Sequence, residues 1–119
     1  MHVLLVDDAP DIRFMLRLML EEEGMAVEEA ASGQEALDRL AAGPAPDAVV
    51  LDQRMPGLTG LEVARELAER GGHPPLVLFS AYLHPALHAE AGRLGLPTVV
   101  KTDLAALVEV LRGGMPVAA

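Results

Sequence analysis

The chain contains no cysteine and no tryptophan, only one tyrosine and two phenylalanines, and a single lysine. Without cysteine there is no disulfide support, no thiol catalysis and no thiolate metal site. So few aromatics leave Leu, Val, Ala and Met to build the core out of a hydrophobic fraction of 51%. Lys and Arg total 9 against 18 Asp and Glu, a formal net charge of −9. That charge repels nucleic-acid phosphates and anionic lipid, and no local cluster of Lys or Arg offers an exception, so direct nucleic-acid binding is not expected. Nor is a membrane role expected. No stretch is long enough to cross a bilayer, and the N-terminal apolar run is far shorter than a signal-peptide core and ends in two aspartates. The expectation is a soluble cytoplasmic protein. Its 119 residues fit one domain, 1–119, with residues 113–119 as a loose C-terminal tail.

What is present is a regular alternation. Short apolar runs at residues 2–6, 26–30, 48–51, 76–79 and 98–100 are separated by stretches of helical period, the sign of a parallel sheet covered by helices on both faces. Runs one, three and four are nearly all apolar, as central strands require, whereas Glu28 and Glu29 place run two nearer an edge. Ile12, Met15, Leu16 and Met19 form a stripe on the first helix, and Leu104, Leu107, Val108 and Leu111 form one on the last. Both stripes are expected to face the sheet, with Met15, Met19 and Met25 as core filler. Ala36, Leu37, Leu40 and Ala41 mark a second helix, Ala64, Leu67 and Ala68 a third, and residues 85–93 a fourth. Pro10 suits a first helical turn, and Gly24 and Gly71-Gly72 suit helix ends.

The polar residues that interrupt this pattern fall at strand ends. Asp7 and Asp8 follow Val3-Leu4-Leu5-Val6, Asp52 follows Ala48-Val49-Val50-Leu51, Ser80 follows Leu76-Val77-Leu78-Phe79, and Lys101, the one lysine, follows Val99-Val100. In an open parallel sheet, ligands bind beyond the carboxyl ends of the strands. Three carboxylates gathered there repel by roughly 4 kcal/mol per close pair at an effective dielectric near 20 and need neutralising charge. A divalent cation and one ammonium supply it, and oxygen-only ligands beside a phosphate favour Mg²⁺. The adjacent pair Asp7-Asp8 suits metal capture from one loop. Asp52 stands alone on a central strand and is the better nucleophile towards a phosphoryl group, with Lys101 and Ser80 around its oxygens.

Val6-Asp7-Asp8, the segment Leu51-Asp52-Gln53-Arg54-Met55-Pro56-Gly57-Leu58-Thr59-Gly60, Phe79-Ser80-Ala81 and Lys101 together resemble the CheY-like receiver domain of two-component response regulators, in order and spacing over essentially the whole chain. The resemblance implies a flavodoxin-like (βα)5 domain with strand order 2-1-3-4-5. It implies phosphorylation of Asp52 from a phosphohistidine on a sensor histidine kinase or phosphotransfer protein. It further implies Mg²⁺ held by Asp7, Asp8, Asp52 and the Arg54 carbonyl, with Lys101 and Ser80 contacting the phosphoryl group. Output is then a conformational change read by a downstream protein partner. By the same resemblance, the fourth helix, fifth strand and last helix form the docking face of a monomer or weak dimer, with Leu83, Leu87, Leu94 and Val110 as candidates there.

Two positions depart from the family pattern. Thr102 stands where a cis proline usually follows the lysine, and since a cis non-proline bond costs about 2.5–4 kcal/mol, a trans bond is expected. Thr98 replaces the aromatic that usually swings inward, which leaves Tyr82 as a candidate to carry part of the switch. Arg54 and Tyr82 flank the path of the hydrolysing water in the family, so slow loss of the phosphoryl group is expected. Two other functions compete: a receiver-fold interaction module without phosphorylation switching, and a Mg²⁺-dependent phosphohydrolase of the haloacid dehalogenase type. The second needs its two aspartates with one residue between them, at positions where Ala9 and Pro10 stand, and a cap for which there is no length. His84 and His88, four residues apart, lack an evident third metal ligand.

Overall fold

The computed structural model describes residues 1–114. Five strands, β1 (His2–Val6), β2 (Ala26–Ala30), β3 (Ala48–Leu51), β4 (Leu76–Ser80) and β5 (Thr98–Val100), alternate with five helices: α1 (Pro10–Glu22), α2 (Gly33–Ala42), α3 (Gly60–Glu69), α4 (Pro85–Arg93) and α5 (Leu104–Glu109). All strand pairs are parallel and the order is β2-β1-β3-β4-β5. The expected fold and strand order are thus observed, and Ser80 is the last residue of β4 rather than the first of the loop.

Because successive side chains of a strand point to opposite faces, each central strand feeds two cores. Leu4, Val6, Val49, Leu51, Leu76 and Leu78 face α2, α3 and α4, where Leu37, Val63, Leu67 and Leu87 meet them. Val3, Leu5, Val50, Val77 and Phe79 face α1 and α5, against Leu16, Leu20, Leu107 and Leu111. This two-sided burial is why β1, β3 and β4 read as unbroken apolar runs.

Helix starts are fixed by local chemistry. Ser32 caps α2 by accepting from the Glu35 N–H, and Thr59 and Glu62 form a reciprocal capping box at α3. Asp103 accepts from Ala106 N–H at α5, and Pro10 opens α1. Gly24 and Gly71, with φ of +86° and +84°, end α1 and α3 in the left-handed region. A wider turn, Val110–Gly114, continues α5; residues 115–119 of the expected tail lie outside the described residues.

The stripe expected on α1 is corrected. Its buried line is Leu16 and Leu20, while Ile12 and Met15 are exposed and Met19 is half-buried. Apolar residues occur on two faces of this helix, so period alone did not select the one that packs. Met25 is core, as expected, but Met15 is not. On the α4 side, Leu87 is core, Leu83 and Val110 are half-buried, and Leu94 is exposed.

Candidate functional site

Parallel strands of similar length end on one rim, and the chain turns there into the helices. The β1, β3, β4 and β5 ends bring Asp7, Asp8, Asp52, Ser80 and Lys101 to that rim, the five residues singled out in the sequence. Asp7, Asp52 and Ser80 are buried, and Asp8 and Lys101 are half-buried. One carboxylate oxygen from each of Asp7, Asp8 and Asp52 lies within 4.8 Å of the others, the only such acidic or His cluster among the described residues. This is an oxygen-only donor set that can hold a metal ion.

Lys101 Nζ reaches into the cluster, 2.7 Å from Asp7 Oδ2 and 3.2 Å from Asp52 Oδ1. Its pKa is raised: burial opposes the charge, but the hydrogen bond to Asp7 and the Asp52 charge outweigh it. Burial pushes the Asp52 carboxyl above its ordinary range, Lys101 pulls it back, and Asp7 adds repulsion. With one ammonium set against three carboxylates, the pocket keeps an excess of negative charge, which suits a divalent cation.

The backbone around these groups is held by contacts that strand-end reasoning did not reveal. Asp7 Oδ1 accepts from the Ala9 N–H at 2.9 Å, so α1 is capped at Ala9 without a side-chain bond and Asp8 is free of that duty. Arg13 Nη1 donates to the Asp7 carbonyl at 2.7 Å. Gln53 Oε1 accepts from the Leu61 N–H at 2.9 Å, tying the residue after Asp52 to the first turn of α3. Gly60 lies so near that an added Cβ would stand 2.5 Å from the Asp52 carbonyl oxygen. The spacing of Thr59 and Glu62 signals a helix start, but no pattern in the chain announces the Arg13 bond.

Ser80 Oγ donates to the Tyr82 carbonyl at 3.2 Å. Both residues line a groove of about 470 Å³ beside Asp52, together with Arg54, Met55, His84 and Leu87. The Tyr82 ring is 66% exposed and sits 5.8 Å from the His84 ring. His84 and His88 each have a partner in the fold: His84 Nδ1 caps α4 by accepting from Leu87 N–H, and His88 Nδ1 is 3.0 Å from Thr98 Oγ1 on β5. Gly43-Pro44 is the only cis bond among the described residues, so Lys101-Thr102 is trans as expected.

Beside the site, α1 presents Ile12, Phe14, Met15 and Leu18 to solvent, with Phe14 62% exposed. Among the described residues no helix is long and apolar enough to cross a membrane.

Known proteins are similar to this chain in sequence and fold. The response regulator MprA of Mycolicibacterium vanbaalenii is 48% identical over 80 residues, which is 67% of this chain and 34% of that protein. The chain thus spans about a third of the curated relatives it matches. The response regulator TrrA of Thermotoga maritima, solved with Mg²⁺ and BeF, superposes with a TM-score of 0.80 at 36% identity, covering 92% of this chain and 97% of that one. TrrA has also been solved in complex with the histidine kinase ThkA. The Vibrio cholerae chemotaxis protein CheY4 superposes with a TM-score of 0.82 at 29% identity, covering 93% of this chain and 95% of that one. The model of the response regulator receiver domain matches residues 3–112, and with the rim of three aspartates, serine and lysine inside that span, the chain belongs to the response regulator receiver domain family of two-component signalling.

Proposed function

We propose that the chain is a phosphorylation-dependent switch in which Asp52 accepts a phosphoryl group from a phosphohistidine on a sensor histidine kinase or phosphotransfer protein. The observation that supports this most is the rim itself: three carboxylates within 4.8 Å of one another, two of them ion-paired with one ammonium, at the ends of parallel strands. Mg²⁺ bound by Asp7, Asp8, Asp52 and the Arg54 carbonyl would neutralise the carboxylates and the phosphoryl oxygens. A carboxylate oxygen of Asp52 attacks phosphorus in line as the P–N bond to the donor imidazole breaks, its electron pair leaving with the imidazole. Lys101 turns its ammonium from Asp7 and Asp52 to the phosphoryl oxygens. Ser80 gives up the Tyr82 carbonyl and donates to the same group.

Releasing the Tyr82 carbonyl frees the β4–α4 loop, and that is the output. With Thr98 in place of an aromatic, β5 is linked to α4 by the Thr98–His88 bond, and Tyr82 is the ring left to move. The α4, β5 and α5 face, where Leu94 is exposed, is the surface for a downstream partner or a weak dimer. The apolar face of α1 starts at Ile12, four residues from Asp8, and is the surface against which the phosphohistidine donor docks. A supporting precedent is the solved complex of TrrA with ThkA.

Incubation with acetyl phosphate and Mg²⁺, read by intact mass, tests the reading. A phosphoryl adduct on the wild type and none on D52N is expected; no adduct, and none with a cognate kinase, favours an interaction module instead. That second reading is supported by Thr98 and Thr102, which stand where the family's usual relay residues do. Steady turnover of small phosphomonoesters would instead identify a phosphohydrolase.

A further inference from the structure

We infer that Arg13 is a positioning residue for the metal pocket, setting the peptide plane that joins Asp7 to Asp8. The inference rests on the reading of Asp7, Asp8 and Asp52 as a Mg²⁺ site. Arg13 lies one turn into α1 with its side chain only 16% exposed. Its guanidinium spans two elements: Nη1 donates to the Asp7 carbonyl at 2.7 Å, and Nε donates to Glu29 Oε1, on β2, at 2.8 Å.

That carbonyl belongs to a planar peptide that also contains the Asp8 nitrogen and Cα. Fixing its oxygen therefore fixes the Asp8 nitrogen and Cα, the base from which the Asp8 side chain leaves the chain. The rest of Asp7 is already secured, its N–H donating to the Ala30 carbonyl at 3.1 Å and its carboxylate held by Ala9 N–H and Lys101. The Asp7–Asp8 plane is the remaining freedom, and a planar fork anchored on β2 removes it. Groups that orient ligands from behind in this way are commonly worth 10–100-fold in metal affinity.

Neighbouring Arg17 provides an internal control. It donates to the other oxygen of Glu29, at 2.7 Å, and to Glu21, but makes no contact with Asp7. R13Q and R17Q each remove one cation and one bond to Glu29, yet only R13Q releases the plane. The field of the lost charge also points the other way from positioning, because removing a cation near a cation site tightens Mg²⁺ binding.

The test is Mg²⁺ titration of the whole chain by isothermal calorimetry, without any phosphodonor, alongside urea denaturation in EDTA. R13Q is expected to weaken Mg²⁺ about tenfold, while R17Q stays close to wild type with a similar loss of stability. Unchanged or tighter binding by R13Q, or equal weakening by R17Q, overturns the inference. Should R13Q not fold, R13K keeps the charge without the fork and is expected to weaken Mg²⁺ at least about threefold; an unchanged affinity there overturns the inference too. A wild type that binds no Mg²⁺ overturns the reading beneath it, a result distinct from any difference between variants.

Discussion

Replacing Asp52 by Asn is expected to make the Mg²⁺-free protein more stable, although it removes the residue proposed to react. The three carboxylates lie within 4.8 Å of one another, about 3.5 kcal/mol of repulsion per pair at an effective dielectric near 20. D52N removes two of those pairs. It also removes the attraction to Lys101 at 3.2 Å, about 5 kcal/mol on the same scale. The balance favours the amide by about 2 kcal/mol, and relief of the burial penalty on the carboxylate acts in the same direction.

The pH dependence follows from the raised folded-state pKa of Asp52. Below its unfolded value the carboxyl is protonated in both states and the penalty is absent; it grows as pH rises and is complete above the folded value. The D52N advantage is therefore largest above the folded value and shrinks as pH falls towards the unfolded carboxylate range. Urea denaturation followed by far-UV circular dichroism, in EDTA, measures it. Mg²⁺ narrows the gap, since a site filled at ten times its Kd adds about 1.4 kcal/mol to the wild type and less to a variant short of one ligand. A D52N protein no more stable than wild type in EDTA would refute the electrostatic reasoning.

Gly60→Ala forces its methyl group against the Asp52 carbonyl and to 2.8 Å from Leu78 Cδ1; a loss of about 1–3 kcal/mol in urea denaturation is expected. F14S and L18S, on exposed α1 positions, are expected to change stability by less than about 0.5 kcal/mol. They should slow transfer from a cognate kinase while leaving labelling by acetyl phosphate intact; equal slowing of both would exclude α1 as the docking face. Glu29 has a lowered pKa, chiefly through its hydrogen bond from Arg17 and then from Arg13, so its stabilisation is present above the unfolded carboxylate range and is lost as pH falls through the depressed value. E29Q should thus be less stable than wild type at pH 7, by about 1 kcal/mol or less for such partly exposed pairs, and match it in strong acid. Finally, Arg54 and Tyr82 beside the proposed phosphorylation site are expected to make phospho-Asp52 long-lived, as followed by loss of the intact-mass adduct; a half-life of seconds would contradict this.

The sequence by itself determined the sheet, the rim and the site. Strands buried on both faces must be continuously apolar, so Asp7, Asp52 and Lys101 stood out where those runs stop, and the common direction of parallel strands brought them to one edge. Pro10 acts within its own helical turn, and the start of α1 could be read for the same reason. Tertiary structure alone decided what depends on the meeting of distant surfaces. Period could not say which apolar face of α1 packs, because Leu16 and Leu20 are buried in the core with the sheet and α5 while Phe14 and Leu18, also apolar, stay exposed. Nor could spacing show that Arg13 holds the Asp7 carbonyl, or that Gly60 must be small against Asp52. Those contacts join segments whose separation in space is fixed only when helix and sheet dock, a matter of packing distance and not of local pattern.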